Sequence, residues 1–369
     1  MANAKVLSCP VLDEDGEYFG CLSVNDVLKS LNAHLEAKDP EWCAEVDDRE
    51  YGLDDRCPLC LASSPTYLTP PSPCVTPLPQ LPPRTEKMDQ MTAADLAALG
   101  KDFCAQTVDK LQHAGDLWLL NADDASTLMD AVMESFRIQD QHVHHRLYVC
   151  STAQPGRMIR SPSQKTTVVN VTPGSERLAA SGLKVTHVVS QSDVIKLLWN
   201  NRACFGASLA STVEQLEFDD GAAMTVPATL PALEAFGFMA RDHKSSLGLV
   251  DGGKLVSTLS VSDLRGLTPE QFPLLLLPAG EFAALCFGAG GVTKEEALAG
   301  KRVPGAAEGS YGALFAATPV VAVTHSSTFE ELLSILATKG LHRAYVVDGN
   351  GAAVSIVTLT DVLRRVTKP

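Results

Sequence analysis

The sequence predicts an α+β (α/β) protein made of four copies of one β-α-β-β-α unit, the first copy incomplete. Three observations predict it. A strand–turn–strand pattern recurs four times along the 369 residues. Each copy closes its hairpin with Ser or Thr, two further residues, and Asp. An apolar segment of helical spacing follows that Asp.

The copy at 317–369 is the clearest. Residues 319–324 (PVVAVT) read as a short strand. Over 327–339, Phe329, Leu332, Leu333 and Leu336 fall on one helical face. Ser327 or Thr328 can cap that helix, and Glu330 and Glu331 suit its first turn. Residues 344–347 and 353–358 flank the turn Asp348-Gly-Asn-Gly351, a hairpin signal. A last helix is expected over 361–366.

The third copy, at 215–270, repeats this grammar with strands at 247–250 and 255–260. Its first helix lies over 228–240, weakened by Pro231 and Gly237. The second copy, at 110–205, has a helix over 126–136 and strands at 147–151 and 184–190. Between those two strands sits an inserted loop, 153–182, expected to be mobile. The first copy, at 1–36, starts at its hairpin, since residues 1–5 leave no room for an opening strand and helix. Residues 37–95 form a proline-rich, disordered linker, and 271–316 a second linker or insertion rich in Ala and Gly.

Bulk properties narrow the function. The net charge of −14 disfavours a phosphate backbone as partner, so no nucleic-acid binding is expected. The most apolar run, 272–287, contains Pro273, Pro278, Gly280 and Glu281 and is a poor membrane span. The N-terminus lacks a secretory pattern, and ten cysteines without one read as reduced thiols of a cytosolic or nuclear protein. Cys57-Pro-Leu-Cys60, with Cys43 and Cys74, has the first half of a zinc spacing but not the second, so no metal is expected. No phosphate loop, nucleophile elbow or paired carboxylates stand out, and the chain reads as non-catalytic.

The recurrent triplets carry the chemistry: Ser23/Asp26, Ser190/Asp193, Ser260/Asp263 and Thr358/Asp361. Such a triplet satisfies free N–H groups at a helix start. A carboxylate there can also accept hydrogen bonds from the two neighbouring hydroxyls of a ribose. At the start of the first hairpin strand the copies divide. The second has His145-Arg146 and the fourth His342-Arg343, where the first has Leu7-Ser8 and the third Ser245-Ser246. Arg presents a fork of donors to phosphate oxygens, and a phosphate favours the charged form of a neighbouring His. A His-Arg pair at a strand start can equally be solvated surface.

The segments Leu341-His-Arg-Ala-Tyr-Val-Val-Asp348 and Ser355-Ile-Val-Thr-Leu-Thr-Asp361 resemble the signature of CBS (cystathionine-beta-synthase) domains. The four-repeat layout, with His-Arg in the second and fourth, is similar to the gamma regulatory subunits of AMP-activated and SNF1-related protein kinases. That resemblance implies two paired (Bateman) modules and a regulatory adenine nucleotide, AMP, ADP or ATP, rather than S-adenosylmethionine. It also implies kinase catalytic and beta subunits as partners. Carried over, Asp26, Asp193, Asp263 and Asp361, beside Ser190, Ser260 and Thr358, would hold ribose. His145, Arg146, His342 and Arg343 would meet phosphates. Asp193 departs from the family pattern, which lacks an acid in the second repeat. The competing expectation is a scaffold whose repeats are empty.

Overall fold

The computed structural model describes residues 8–12, 18–38, 91–106, 117–121, 132, 136, 145–152, 168–171, 183–218, 222–306, 309–317 and 319–367. The expected proline-rich linker up to residue 90, its four cysteines, and most of the helix expected over 126–136 lie outside them.

The four hairpins are one structure repeated. They are β1 (Ser8–Leu12) with β2 (Tyr18–Ser23), β4 (Arg146–Thr152) with β6 (Leu183–Ser190), β8 (Ser246–Asp251) with β9 (Lys254–Ser260), and β11 (Arg343–Val347) with β12 (Ala353–Thr358). In each, the first residue of the leading strand pairs with the Ser or Thr of the triplet: Ser8 with Ser23, Arg146 with Ser190, Ser246 with Ser260, Arg343 with Thr358. Each also shifts register after the fourth residue, at Val11/Leu12, Val149/Cys150, Leu249/Val250 and Val346/Val347. A bulge at one fixed place re-aims the strand the same way in every copy.

A parallel strand joins three of these hairpins. β3 (Leu117–Asn121), β7 (Thr225–Pro227) and β10 (Ala322–Val323) set Leu119, Thr225 and Ala322 opposite Tyr148, Gly248 and Tyr345. The expected strand at 319–324 is thus only two residues long. Within the expected loop 153–182, the valine-rich stretch β5 (Val168–Val171) pairs antiparallel with β3 and widens that sheet to four strands.

Helices close the repeats: α1 (Val24–Lys38), α3 (Gln191–Asn200) and α10 (Leu359–Val366) in the first, second and fourth. The third has only a four-residue 3-10 turn, Val261–Leu264, in place of the expected helix. Gly266, at φ +86°, ends any helical path there. The opening helices are α5 (Ala232–Arg241) in the third repeat and α9 (Phe329–Lys339) in the fourth. Thr328 rather than Ser327 caps α9, exchanging bonds with Glu331, and Gly340 at φ +64° stops it. Pro231 sits just ahead of α5, where its missing N–H costs the helix nothing, and Gly237 is buried inside it.

Two elements were not legible as such. α2 (Ala93–Cys104) follows the linker and packs on a 3-10 segment, Pro269–Leu276, where Gly100 lies so near Phe272 and Pro269 O that a Cβ would come within 2.7 Å of each. The segment expected as a linker or insertion over 271–316 is folded: α6 (Ala279–Phe287), α7 (Lys294–Leu298) and α8 (Tyr311–Leu314). Its run of apolar residues goes into the core, with Phe282, Ala283 and Ala284 at 0% exposure. α4 (Val213–Leu216) precedes the third repeat.

Helices and sheets join different repeats. α1 packs on α5, and α3 packs on α9 and α10. One apolar cluster therefore merges the first and third repeats, the other the second and fourth. The sheets of the third and fourth repeats meet instead through Leu255 N–H donating to Gly351 O (2.9 Å), an isolated bridge between Ala222 and Ser355, and Gly248 against Tyr345. Among the described residues no helix is long and apolar enough to cross a membrane.

Glu281, at 0% exposure on α6, fastens the 271–316 segment. It accepts from Arg302 Nε at 2.9 Å, Arg302 Nη2 at 2.6 Å and Val303 N–H at 2.9 Å. Arg302 is itself half-exposed, and Arg302→Ala leaves the carboxylate with the Val303 N–H as donor; we expect a loss of about 2–3 kcal/mol in urea unfolding, the scale of a buried charged acceptor losing a partner. A loss below about 1 kcal/mol, the scale of an exposed ion pair, would show that the contact does not anchor the segment.

Candidate functional site

All four triplet acids serve as caps in the structure. Asp26 Oδ2 accepts from Ser23 N–H at 2.7 Å and Ser23 Oγ–H at 2.6 Å. Asp193 Oδ2 accepts from Ser190 N–H at 2.9 Å and Ser190 Oγ–H at 2.7 Å. Asp361 Oδ2 accepts from Thr358 N–H at 2.8 Å and Thr358 Oγ1–H at 2.6 Å. Asp263 Oδ2 accepts from Ser260 N–H at 2.7 Å. Capping therefore accounts for the recurrence of the triplet by itself. It uses Oδ2 each time, one of two carboxylate oxygens that between them carry about four lone-pair sites. At Asp361 the other, Oδ1, lies 3.9 Å from Arg364 Nη1.

The acids differ in setting. Asp26 is buried and Asp193 exposed. Desolvation raises Asp263 to about 6, against the opposing pull of the Ser260 hydrogen bonds, Lys294 and Arg265. Lys294 arrives from α7, and the thiol of Cys286 arrives from α6, its Sγ 3.9 Å from Asp263 O. Burial and the Asp263 charge push that thiol up to about 12, so it is inert as a nucleophile.

The strand-start residues come together. The residue after each triplet Ser or Thr donates its N–H to the strand-start carbonyl: Gln191 to His145, Val261 to Ser245 and Leu359 to His342, all at 3.1 Å. His145, Ser245 and His342 thus occupy equivalent places, with Arg146, Ser246 and Arg343 next to them. Desolvation first, and then the charges of Arg343, Arg146, His145 and Arg265, together lower His342 to about 4. Desolvation also holds His145 below the usual imidazole range, opposed by its Gln191 hydrogen bond, with Arg146 and Arg343 adding to the depression. Two neutral imidazoles and two guanidiniums, one of each from each of two repeats, therefore share one centre whose positive charge is that of Arg146 and Arg343. Arg265 of the third repeat adds to it.

Several of its residues were missed by sequence reasoning. Arg265 follows the third triplet with no pattern to mark it. Gln191, 4% exposed, donates from Nε2 to Thr360 Oγ1 at 2.9 Å, and its Oε1 lies 3.1 Å from His145 Nδ1. It thereby ties the second repeat's imidazole to the fourth repeat's closing helix. Ser245 and Ser246 were noted only as lacking His-Arg, yet both accept hydrogen bonds from Arg343.

Residues 313–368 match the model of the CBS domain. Over 138 residues the chain is 30% identical to an Arabidopsis thaliana protein, the SNF1-related protein kinase regulatory subunit gamma-like PV42a. That match covers 37% of this chain, and the chain spans about a third (31%) of that relative's length. Among solved structures, protein MJ1225 of Methanocaldococcus jannaschii, proposed as an archaeal homologue of g-AMPK, is 12% identical. It covers 99% of this chain and 89% of its own, at a TM-score of 0.49. CBSX2 in complex with AMP is 20% identical, over 42% of this chain and 95% of its own, at a TM-score of 0.28. Residues 313–368 thus match the CBS domain, and over 138 residues the chain is similar to a gamma-like regulatory subunit of an SNF1-related kinase.

Proposed function

We propose that this chain is a non-catalytic regulatory protein that binds adenine nucleotides (AMP, ADP or ATP) between its repeats and controls a protein kinase as a gamma-like subunit. One observation carries the reading: the guanidinium charges of Arg146 and Arg343 act on both imidazoles, His145 and His342, and Arg265 acts on His342 as well, in a chain whose net charge is −14. Holding like charges together is unfavourable, and an anionic group placed among them relieves the repulsion. In the second and fourth repeats the strand-start arginines pair across the hairpin with Ser190 and Thr358, and the acids Asp193 and Asp361 follow three residues on. A ligand with a diol at one end and phosphate at the other fits both chemistries, and a nucleotide is such a ligand.

Regulation follows from differential affinity. A ligand held by residues of the second, third and fourth repeats favours the arrangement in which they converge, and a partner that senses that arrangement is shifted with it. The kinase, with its catalytic and beta subunits, is proposed from the PV42a relationship. A scaffold with empty repeats is the second reading, favoured by the fact that capping alone accounts for all four acids.

Calorimetric titration with AMP and ATP should show binding to the wild type. Asp361→Ala should weaken it by about 1.5–3 kcal/mol at that site, the range for a hydrogen bond to a charged group. Equal affinity in the two proteins removes Asp361 from the site, and no binding of either nucleotide to the wild type leaves the scaffold. Co-purification of a kinase catalytic subunit from cells supports the kinase role, and its absence opposes it.

The pH dependence has a defined sign. His342 is neutral at pH 7, its pKa lowered to about 4, and a phosphate beside it raises that value. Phosphate binding at the centre should therefore take up protons near pH 6, and affinity there should grow as pH falls. Ribose at Asp263 needs the ionised acid, whose pKa stands at about 6, so binding there should release protons and weaken as pH falls. Titrations at pH 6 in buffers of different ionisation enthalpy, on the wild type and on Asp263→Asn, separate the two. No proton uptake by the variant would show that His342 does not meet phosphate, and the same proton count in both proteins would show that Asp263 does not meet ribose.

A further inference from the structure

Arg343 starts the fourth repeat's hairpin but ends on the third repeat. Its Nη1 donates to Ser246 Oγ, and its Nη2 donates to Ser245 Oγ at 2.8 Å. By register, Ser246 stands where Arg146 and Arg343 stand in their own repeats. The third repeat therefore lacks its own His-Arg pair and receives the fourth repeat's guanidinium in the same place. Ser246 is 6% exposed, and its hydroxyl also lies 3.3 Å from Tyr345 Oη. Anchoring two different nitrogens fixes both the position and the plane of a guanidinium, where a single bond would leave it free to swivel. Of five N–H groups, the two serines engage two, and three remain. The anchored charge still acts on both His145 and His342.

We propose that Ser245 and Ser246 are positioning residues of the anion-binding centre: their paired hydroxyls clamp Arg343 so that its remaining N–H groups serve an anionic group shared by the second and fourth repeats. The inference rests on the nucleotide reading above. It assigns to the third repeat a part in the centre that its sequence does not announce.

The test uses the full chain with AMP and, separately, inorganic tripolyphosphate. Ser245→Ala/Ser246→Ala should bind both about fivefold to tenfold more weakly, about the net worth of one intramolecular hydrogen bond that holds the guanidinium in place. Ser245→Thr keeps the hydroxyl at a half-buried position and should bind like the wild type. Arg343→Lys cannot reach both serines, so adding it to the double alanine variant should weaken binding no further than Arg343→Lys alone. Should the double variant unfold, Ser245→Ala alone carries the test, with a loss of about threefold. A folded double variant with wild-type affinity for both probes overturns the clamp, as do losses that simply add to those of Arg343→Lys. A wild type that binds neither probe overturns the nucleotide reading instead.

Discussion

The exchange of hydrogen bonds between a Ser or Thr and the Asp three residues on is the interaction from which the rest of this structure follows. It ends a hairpin and starts a helix in two residues, with the carboxylate satisfying the strand's last N–H and the hydroxyl satisfying an early helical one. Because the same Ser or Thr pairs across the hairpin with the leading strand's first residue, the cap also fixes where that strand begins. The acid and the strand-start side chain are thus held at a constant separation in every copy. On the nucleotide reading proposed above, a single local motif sets the spacing between the acid and the strand-start residue that would share a ligand.

That local constraint becomes a shared centre only through packing between repeats. The closing helix of the second repeat lies on both helices of the fourth, around Leu332, Leu333, Val362 and Leu363, each at 0% exposure. Each such side chain contributes about 1.5–3 kcal/mol when buried, which outweighs the repulsion between the cationic strand starts it brings together. Gln191 works at this seam, a buried amide reaching Thr360 across the interface and His145 within its own repeat. A buried amide without both partners would be costly, so it also fixes the register of one repeat on the other.

Much of this was legible in the residues. Hairpins show in period-two patterns and in Gly-containing turns, and the copy at 317–369 differed from expectation only at its ends. The third repeat's opening helix survived Pro231 and Gly237 because the proline stands outside the hydrogen-bonded turns and the glycine sits in the core. What was not legible depends on contacts distant in sequence. The 271–316 segment reads as a linker until Glu281 meets Arg302 and Phe282 meets Phe236, ring centroids 5.8 Å apart. The second core-forming helix, α2, follows a proline-rich stretch that masks its capping box at Thr92 and Asp95. The Arg343 clamp could not be seen at all, since 97 and 98 residues separate its partners and serine carries no signature of its own.

The third repeat shows how far one motif can be bent by what packs on it. Its triplet is intact, yet the acid opens a four-residue turn instead of a helix. Three residues after the acid the other repeats carry Lys29, Lys196 and Arg364, and this one carries Gly266. A full helix supplies aligned N–H dipoles and a cation one turn on, both of which favour an ionised carboxylate at its start. Without them, and with α6 packed alongside, Asp263 lies in a desolvated setting that Lys294 and Arg265 only partly offset. Four acids with one sequence signature are therefore not four equivalent groups. The repeat that has lost its closing helix is also the one whose serines accept from Arg343 and whose Arg265 acts on His342, so it meets the fourth repeat through both ends of its hairpin.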